Sequence, residues 1–374
     1  MAGIYIHIPF CKQACYYCDF HFSTSLKKKD ELILALIQEI YLRKEEINEP
    51  VETIYFGGGT PSVLSNKEID QILEPIFSLF DVIENPEITL EANPDDLSKE
   101  RIQELSKSKI NRLSIGIQSF YDEDLILMNR AHNAQEALES LKEARNYFEN
   151  ISIDLIYGIP NMSLERWKTN IQKALDLNIP HISTYALTVE PKTALASLIK
   201  NGKVPLPDDG IAHEHFLVLV ELLEKSGFVH YELSNFGKPD FFSKNNSAYW
   251  LGKKYLGIGP SAHSFDGKNR SWNIANNSLY IQSISKNELP NEVETLNLQD
   301  RYNEYIMTGL RTIWGVSVSR VLNEFGESYK NYLLENAQPF IDKRQLDFEN
   351  DILKTTIKGK FFCDGIASEL FWIE

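Results

Sequence analysis

The chain has 374 residues, and 38 basic against 53 acidic side chains leave it a net charge of −15. With 43% apolar and 24% charged residues it has a globular balance, which excludes a disordered or fibrous chain. Its acidity argues against a general nucleic-acid binder or a basic membrane-surface protein, because binding phosphate takes clustered Lys and Arg.

The length suits two domains or one large barrel with an appendage. No run of ~20 apolar residues could span a membrane as a helix. The first ten residues carry no secretory pattern, so the sequence predicts a cytoplasmic protein whose thiols stay reduced.

The first predicted strand covers 3–8. Directly after it comes Cys11-x3-Cys15-x2-Cys18, so three of the four cysteines lie within eight residues. Thiolates are soft ligands suited to iron–sulfur clusters and to zinc. Three on one loop can hold three irons of a [4Fe–4S] cluster and leave the fourth open to a small molecule. The alternative is a structural zinc site completed by His7, His21 or Asp19, although such sites usually pair two C-x2-C units. Cys363 stands alone and reads as a small buried hydrophobe. Lys27, Lys28 and Lys29 read as the solvated start of a helix over 30–47.

A second strand, 53–56, runs into Gly57-Gly58-Gly59-Thr60-Pro61, where absent Cβ atoms let the backbone turn sharply and approach a ligand. Ser65 and Glu68 predict a capping box for a helix over 67–80. Strands at 88–91, 112–117, 151–157 and 181–187 follow, with helices over 134–147 and 164–177 between them. Asn178 and Pro180 close the last of these helices. Six strands alternating with helices imply parallel βαβ units, curled into a barrel or doubly wound. In both, chemistry gathers at the C-terminal strand ends. Glu91, with Asn93 and Pro94, and Gln118 fall there. Asp154 lies within the fifth strand, and Arg130 and His132 just beyond the fourth. Glu91 suits an ammonium, Arg130 a carboxylate, and Gln118 and Asp154 ribose hydroxyls.

Beyond about residue 235 the pattern changes. The sequence predicts a loop over 237–247 and a Gly-rich stretch at 255–260. Helices over 298–314, 317–325 and 329–337, β segments at 352–357 and 361–362, and a last helix from 364 predict a helical unit with a small β-wing.

Several motifs together resemble one family. Cys11-x3-Cys15-x2-Cys18 followed by Gly-Gly-Gly-Thr-Pro is similar to the radical S-adenosylmethionine (SAM) superfamily. Tyr5-Ile6-His7-Ile8-Pro9-Phe10-Cys11, Glu91-Ala92-Asn93-Pro94, Ser114-Ile115-Gly116-Ile117-Gln118, Asp154-Leu155-Ile156-Tyr157-Gly158-Ile159-Pro160 and Tyr249-Trp250 resemble its HemN/HemW branch. The resemblance implies an α/β fold: a partial (β/α)6 radical SAM barrel at 1–235, a connecting segment at 236–286 and a mostly helical C-terminal domain with a β-wing at 287–374. It implies that Cys11, Cys15 and Cys18 hold a [4Fe–4S] cluster. It also implies that Tyr5, Tyr17, Gly58, Gly59, Thr60, Glu91, Gln118, Arg130 and Asp154 line a SAM site, with Ala186 a weaker carry-over.

The oxygen-independent coproporphyrinogen III oxidases of this branch carry a fourth cysteine two residues after the third, and a long N-terminal extension. Here that position is Phe20, and ten residues precede Cys11. Both departures resemble the HemW haem chaperones, which implies haem or a porphyrin as cargo, a haem-acceptor protein and an electron donor as partners. One departure runs the other way. HemW proteins typically show His-Asn-x-x-Tyr-Trp, and this chain reads Asn245-Asn246-Ser247-Ala248-Tyr249-Trp250, with His263, His230 and His21 as other candidate haem ligands. The oxidase and a zinc-stabilised interaction protein are the competing expectations.

Overall fold

The computed structural model describes residues 1–373. Six strands, β1 (Ala2–Ile8), β2 (Val51–Gly58), β3 (Val82–Ala92), β4 (Arg112–Gln118), β5 (Asn150–Tyr157) and β6 (His181–Ala186), pair in chain order, all parallel. The intervening helices include Lys29–Leu42, Asn66–Leu79, Ala134–Ala144 and Leu164–Asp176. Ser65 and Glu68 form the expected capping box. The first helix ends at Leu42 rather than at 47. Arg43 closes it and is buried, with Nη1 bonding Glu39 at 3.0 Å and the Gly257 carbonyl at 2.8 Å.

The six strands do not close on themselves. The hairpin of β7 (Val229–Glu232) and β8 (Asn235–Gly237) lies antiparallel against β6, while β9 (Tyr255–Ile258) lies parallel against β1. Antiparallel strands β10 (His263–Phe265), β11 (Asn269–Asn273) and β12 (Asn291–Thr295) extend this edge into a 12-stranded sheet. Residues 236–286, read from the sequence as a connecting segment, thus carry strands of the main sheet. Buried Glu39 ties them down, accepting from Arg43, Asn273 and the Gly259 amide.

The loop expected over 237–247 is a helix from Lys244 onward (Lys244–Trp250). Ser243 caps it, and the Glu87 carboxylate of β3 accepts the Lys244 and Asn245 amides at 3.3 and 3.2 Å. An anion at a helix N-terminus supplies what a sequence of modest helix propensity lacks.

The C-terminal helices Leu298–Leu310, Val318–Phe325 and Glu327–Asp342 surround a separate core and carry the wing of β13 (Val316–Ser317), β14 (Leu346–Glu349) and β15 (Ile352–Thr355). Phe361 and Phe362 lie on no strand. They sit between two short helices, with the Phe361 ring 4.7 Å from His213 and 5.6 Å from Phe216 of the barrel helix Asp209–Lys225.

Candidate cofactor site

Burial along the barrel strands alternates in kind. Ile4, Ile6, Ile54, Phe56, Ile88, Leu90, Leu113, Ile115, Ile153 and Leu155 belong to the apolar core shared with the helices. The intervening residues Tyr5, Tyr55, Glu91, Arg112, Ser114, Asp154 and Ser183 line cavities inside the barrel. A parallel sheet packed on both faces reads as continuous apolar runs, so this period-two alternation marks a hollow, polar interior.

A cavity of about 520 Å3 opens at the C-terminal strand ends. Its wall includes Cys11, Cys15 and Cys18, which are half-buried free thiols. Tyr17, Gly58, Gly59, Thr60, Glu91, Gln118, Arg130, Asp154 and Ala186 line it as well. Tyr5 does not reach it. That ring stacks on Tyr55 at 6.0 Å and faces an inner chamber. His132 also points away, its Nε2 3.1 Å from the Ile117 carbonyl.

The cysteine loop is fixed by its backbone. Cys11 and Ser23 bond across the loop's base, the Gly59 amide donates to Ile8 at 2.9 Å and the Thr60 amide to Phe10 at 2.6 Å. Across the mouth, the Tyr16 amide bonds Met128 and the Asn129 side chain bonds Ala14. These contacts explain the glycine run. A Cβ on Gly59 would lie 2.7–2.9 Å from backbone atoms of Phe10 and Ile8, and Gly58 has φ +108° against the His7 ring. The glycines therefore make room for the cysteine loop and for His7, besides lining the cavity.

The electrostatics set anchor and acids apart. Arg130 Nη2 donates to Asn93 at 2.6 Å and to the Gly116 carbonyl at 2.9 Å, and Nη1 lies 3.3 Å from Cys15 Sγ. Its Nε has no partner. Burial pushes the Cys18 thiol up to about 11 and raises Cys11 as well, so a metal that binds there must displace protons. Glu91 accepts from the Tyr55 hydroxyl at 2.8 Å and the Gly58 amide at 3.2 Å. Burial still holds its carboxyl up at about 7, and that of Asp154 at about 6. A cation placed beside either would offset that cost. Gln118 is buried with φ +62°, an uncommon conformation for a side chain that carries a Cβ.

Among the described residues, no three His, Cys, Asp or Glu side chains are arranged about a single metal ion. His7 bonds the His21 carbonyl and the His21 ring bonds Asn277, so neither turns to the thiols. Three soft donors around one roomy cavity suit a multi-iron cluster, which spans a larger space than one ion. Sequence reasoning missed Tyr55, Arg112, Ser183 and Tyr185, which the strand alternation could have found. Asn245 is 5% exposed and bonded by Thr53 at 3.1 Å, away from the cysteine loop. His230 is buried on Phe236, while His263 is exposed beside Trp272.

Such a barrel, with a three-cysteine loop at its mouth, is the architecture of radical SAM proteins. The radical SAM superfamily profile matches residues 5–174, and the HemN C-terminal domain profile matches residues 296–362. A Heme chaperone HemW from Bacillus subtilis is 33% identical over 99% of this chain and 98% of its own length. One from Lactococcus lactis is 36% identical over 95% and 93%. The structure of coproporphyrinogen III oxidase (HemN) from Escherichia coli superposes with a TM-score of 0.85 at 24% identity, covering 99% of this chain and 90% of that one. The chain belongs to the HemW family of the radical SAM superfamily.

Proposed function

We propose that this protein is a haem chaperone of the cytoplasm. In this reading it carries a [4Fe–4S] cluster on Cys11, Cys15 and Cys18, binds SAM in the same cavity, and passes haem to an acceptor protein. The observation that carries the reading is end-to-end similarity to proteins named as haem chaperones, joined to three thiols on one cavity wall. When bound, the cluster would supply an open iron for the amino and carboxylate groups of SAM. Arg130 is placed to meet an anionic group, Glu91 a cationic one, and Gln118 and Asp154 hydroxyls. Phe20 is 70% exposed at the cavity rim, in the position where the resemblance gives the oxidases a fourth cysteine. That supports carriage of haem over decarboxylation of a porphyrinogen. Asn245 is buried and engaged by Thr53, so in this reading either another group holds haem or haem is bound more weakly than in proteins with His at that position.

The test is anaerobic reconstitution followed by haem titration. About four irons and four sulfides per chain and a Soret shift at micromolar haem are expected. A reconstituted sample without any haem-induced spectral change, or one that converts coproporphyrinogen III to protoporphyrinogen IX, would overturn the proposal. One zinc per chain without labile sulfide would overturn the cluster itself.

A further inference from the structure

Outside the barrel, a cavity of about 310 Å3 lies where the extended sheet edge meets the C-terminal helices. Boundaries between such units are a common place for small-ligand sites, and this volume is at the low end of their range. The register of β9 and β10 sets Tyr255 opposite Phe265 on the sheet side, with ring centroids 6.3 Å apart. On the helical side, Tyr305 of Leu298–Leu310 and Phe325 of Val318–Phe325 pair at 6.3 Å. Trp250, at the end of the helix Lys244–Trp250, adds a fifth ring.

The charges around these rings do not cancel. Arg270 pairs with Glu304 at 2.7 Å and Arg320 with Glu324 at 2.8 Å, so each carboxylate lining the cavity is taken by an arginine. Arg301 lines it too and pairs with no carboxylate among the described residues; its guanidinium lies 5.9 Å from the Phe325 ring centroid. One positive charge is left over, in a chain whose net charge is −15. Trp250 supplies a second unanswered group. Its Nε1 is buried without an acceptor, and an indole N–H can only donate. The Arg311 guanidinium, 5.1 Å from the Trp250 ring centroid, is a donor as well. Native interiors leave few buried donors unanswered.

We propose that this cavity binds a small planar aromatic anion, its ring among the aromatic side chains and its charged group against Arg301. The anion is a nucleoside monophosphate or an aromatic carboxylate, since both join a flat ring to charged acceptor oxygens. The cavity shares no residue with the thiol cavity, and the site stands whether or not the protein carries a cluster, SAM or haem.

The test uses the full chain and two probes, bromoadenosine monophosphate and bromonaphthoate. Soaked crystals are expected to show an anomalous bromine peak between the two aromatic pairs for at least one of them, and the tighter probe names the source of the anion. In calorimetry that probe is expected to bind once per chain, at least tenfold tighter than its uncharged counterpart, bromoadenosine or bromonaphthamide. Arg301→Met should lose that tenfold, while Arg301→Lys, which keeps the charge, should retain most of it. Arg301 is exposed, so both variants should melt with the wild type. The proposal is overturned if neither probe gives a peak in this cavity, or if Arg301→Met binds both probes as tightly as the wild type, as it would were they held in the thiol cavity. A peak without saturable binding in solution would mark binding at crystal concentration only and overturn it as well.

Discussion

At the scale of single residues, the cavity divides its work between soft and hard groups. In the proposed reading the three thiols hold the metal, while Glu91 and Arg130 meet the ligand that the metal presents. Replacing any one of Cys11, Cys15 or Cys18 by Ala should therefore abolish iron after reconstitution while far-UV circular dichroism stays unchanged. Full iron content in Cys15→Ala would refute the ligand set. Arg130→Ala should keep its iron and lose about tenfold or more in SAM affinity, since a hydrogen bond to a charged group contributes about 1.5–3 kcal/mol. Glu91 adds a pH signature. Its carboxyl titrates at about 7, so below that pH a cationic ligand must first displace a proton. Affinity then weakens as pH falls, approaching tenfold per unit, and levels off above about 8. Glu91→Gln should lack that component. Subtracting its profile from the wild-type profile removes the ligand's own titration, and superimposable profiles would show that Glu91 does not face the cation.

At the scale of elements, the decisive contact is between the end of β2 and the cysteine loop. Ala at position 59 would push a methyl group to 2.7–2.9 Å from the backbone of Ile8 and Phe10, and backbone cannot swing aside as a side-chain tip can. Gly59→Ala should cost about 1–3 kcal/mol in urea denaturation, the usual range for overpacking. It should also lower iron content, because the displaced loop no longer presents its thiols together. An iron-replete variant of unchanged stability would contradict this account. The six barrel strands were legible in the sequence because β-branched runs ended at glycine, proline and polar clusters. The cysteines were legible because their spacing is chemical. The helix Lys244–Trp250 was not legible, since its N-terminus depends on Glu87, 157 residues away in sequence from Lys244. The place of β9 beside β1 was equally hidden, because four residues containing a glycine show no period until a long buried network anchors them.

At the scale of the whole molecule, two separate cores meet along a seam. The thiol cavity is built from barrel residues alone. The C-terminal core is separate and docks through Phe361 on His213 and Phe216, through Arg311 on Glu232, and through the Ile313 amide on the Tyr231 carbonyl at 3.0 Å. Phe361 packs on barrel rings at its end of this seam, while Arg311 pairs with largely desolvated Glu232 across it and with Asp364 on its own side. Truncating a half-buried phenylalanine should cost somewhat less than the ~3–5 kcal/mol of a fully buried one. That loss falls on the docking and leaves either core intact. Phe361→Ala should thus split urea unfolding into two transitions and expose the segment before Leu298 to limited proteolysis. Iron content and SAM affinity should match the wild type, because none of the residues assigned to the cluster or to SAM in the proposed reading lies beyond the seam. If iron were lost along with the docking, the C-terminal unit would be holding the cysteine loop in place, and the separation of cofactor chemistry from the helical appendage would be wrong.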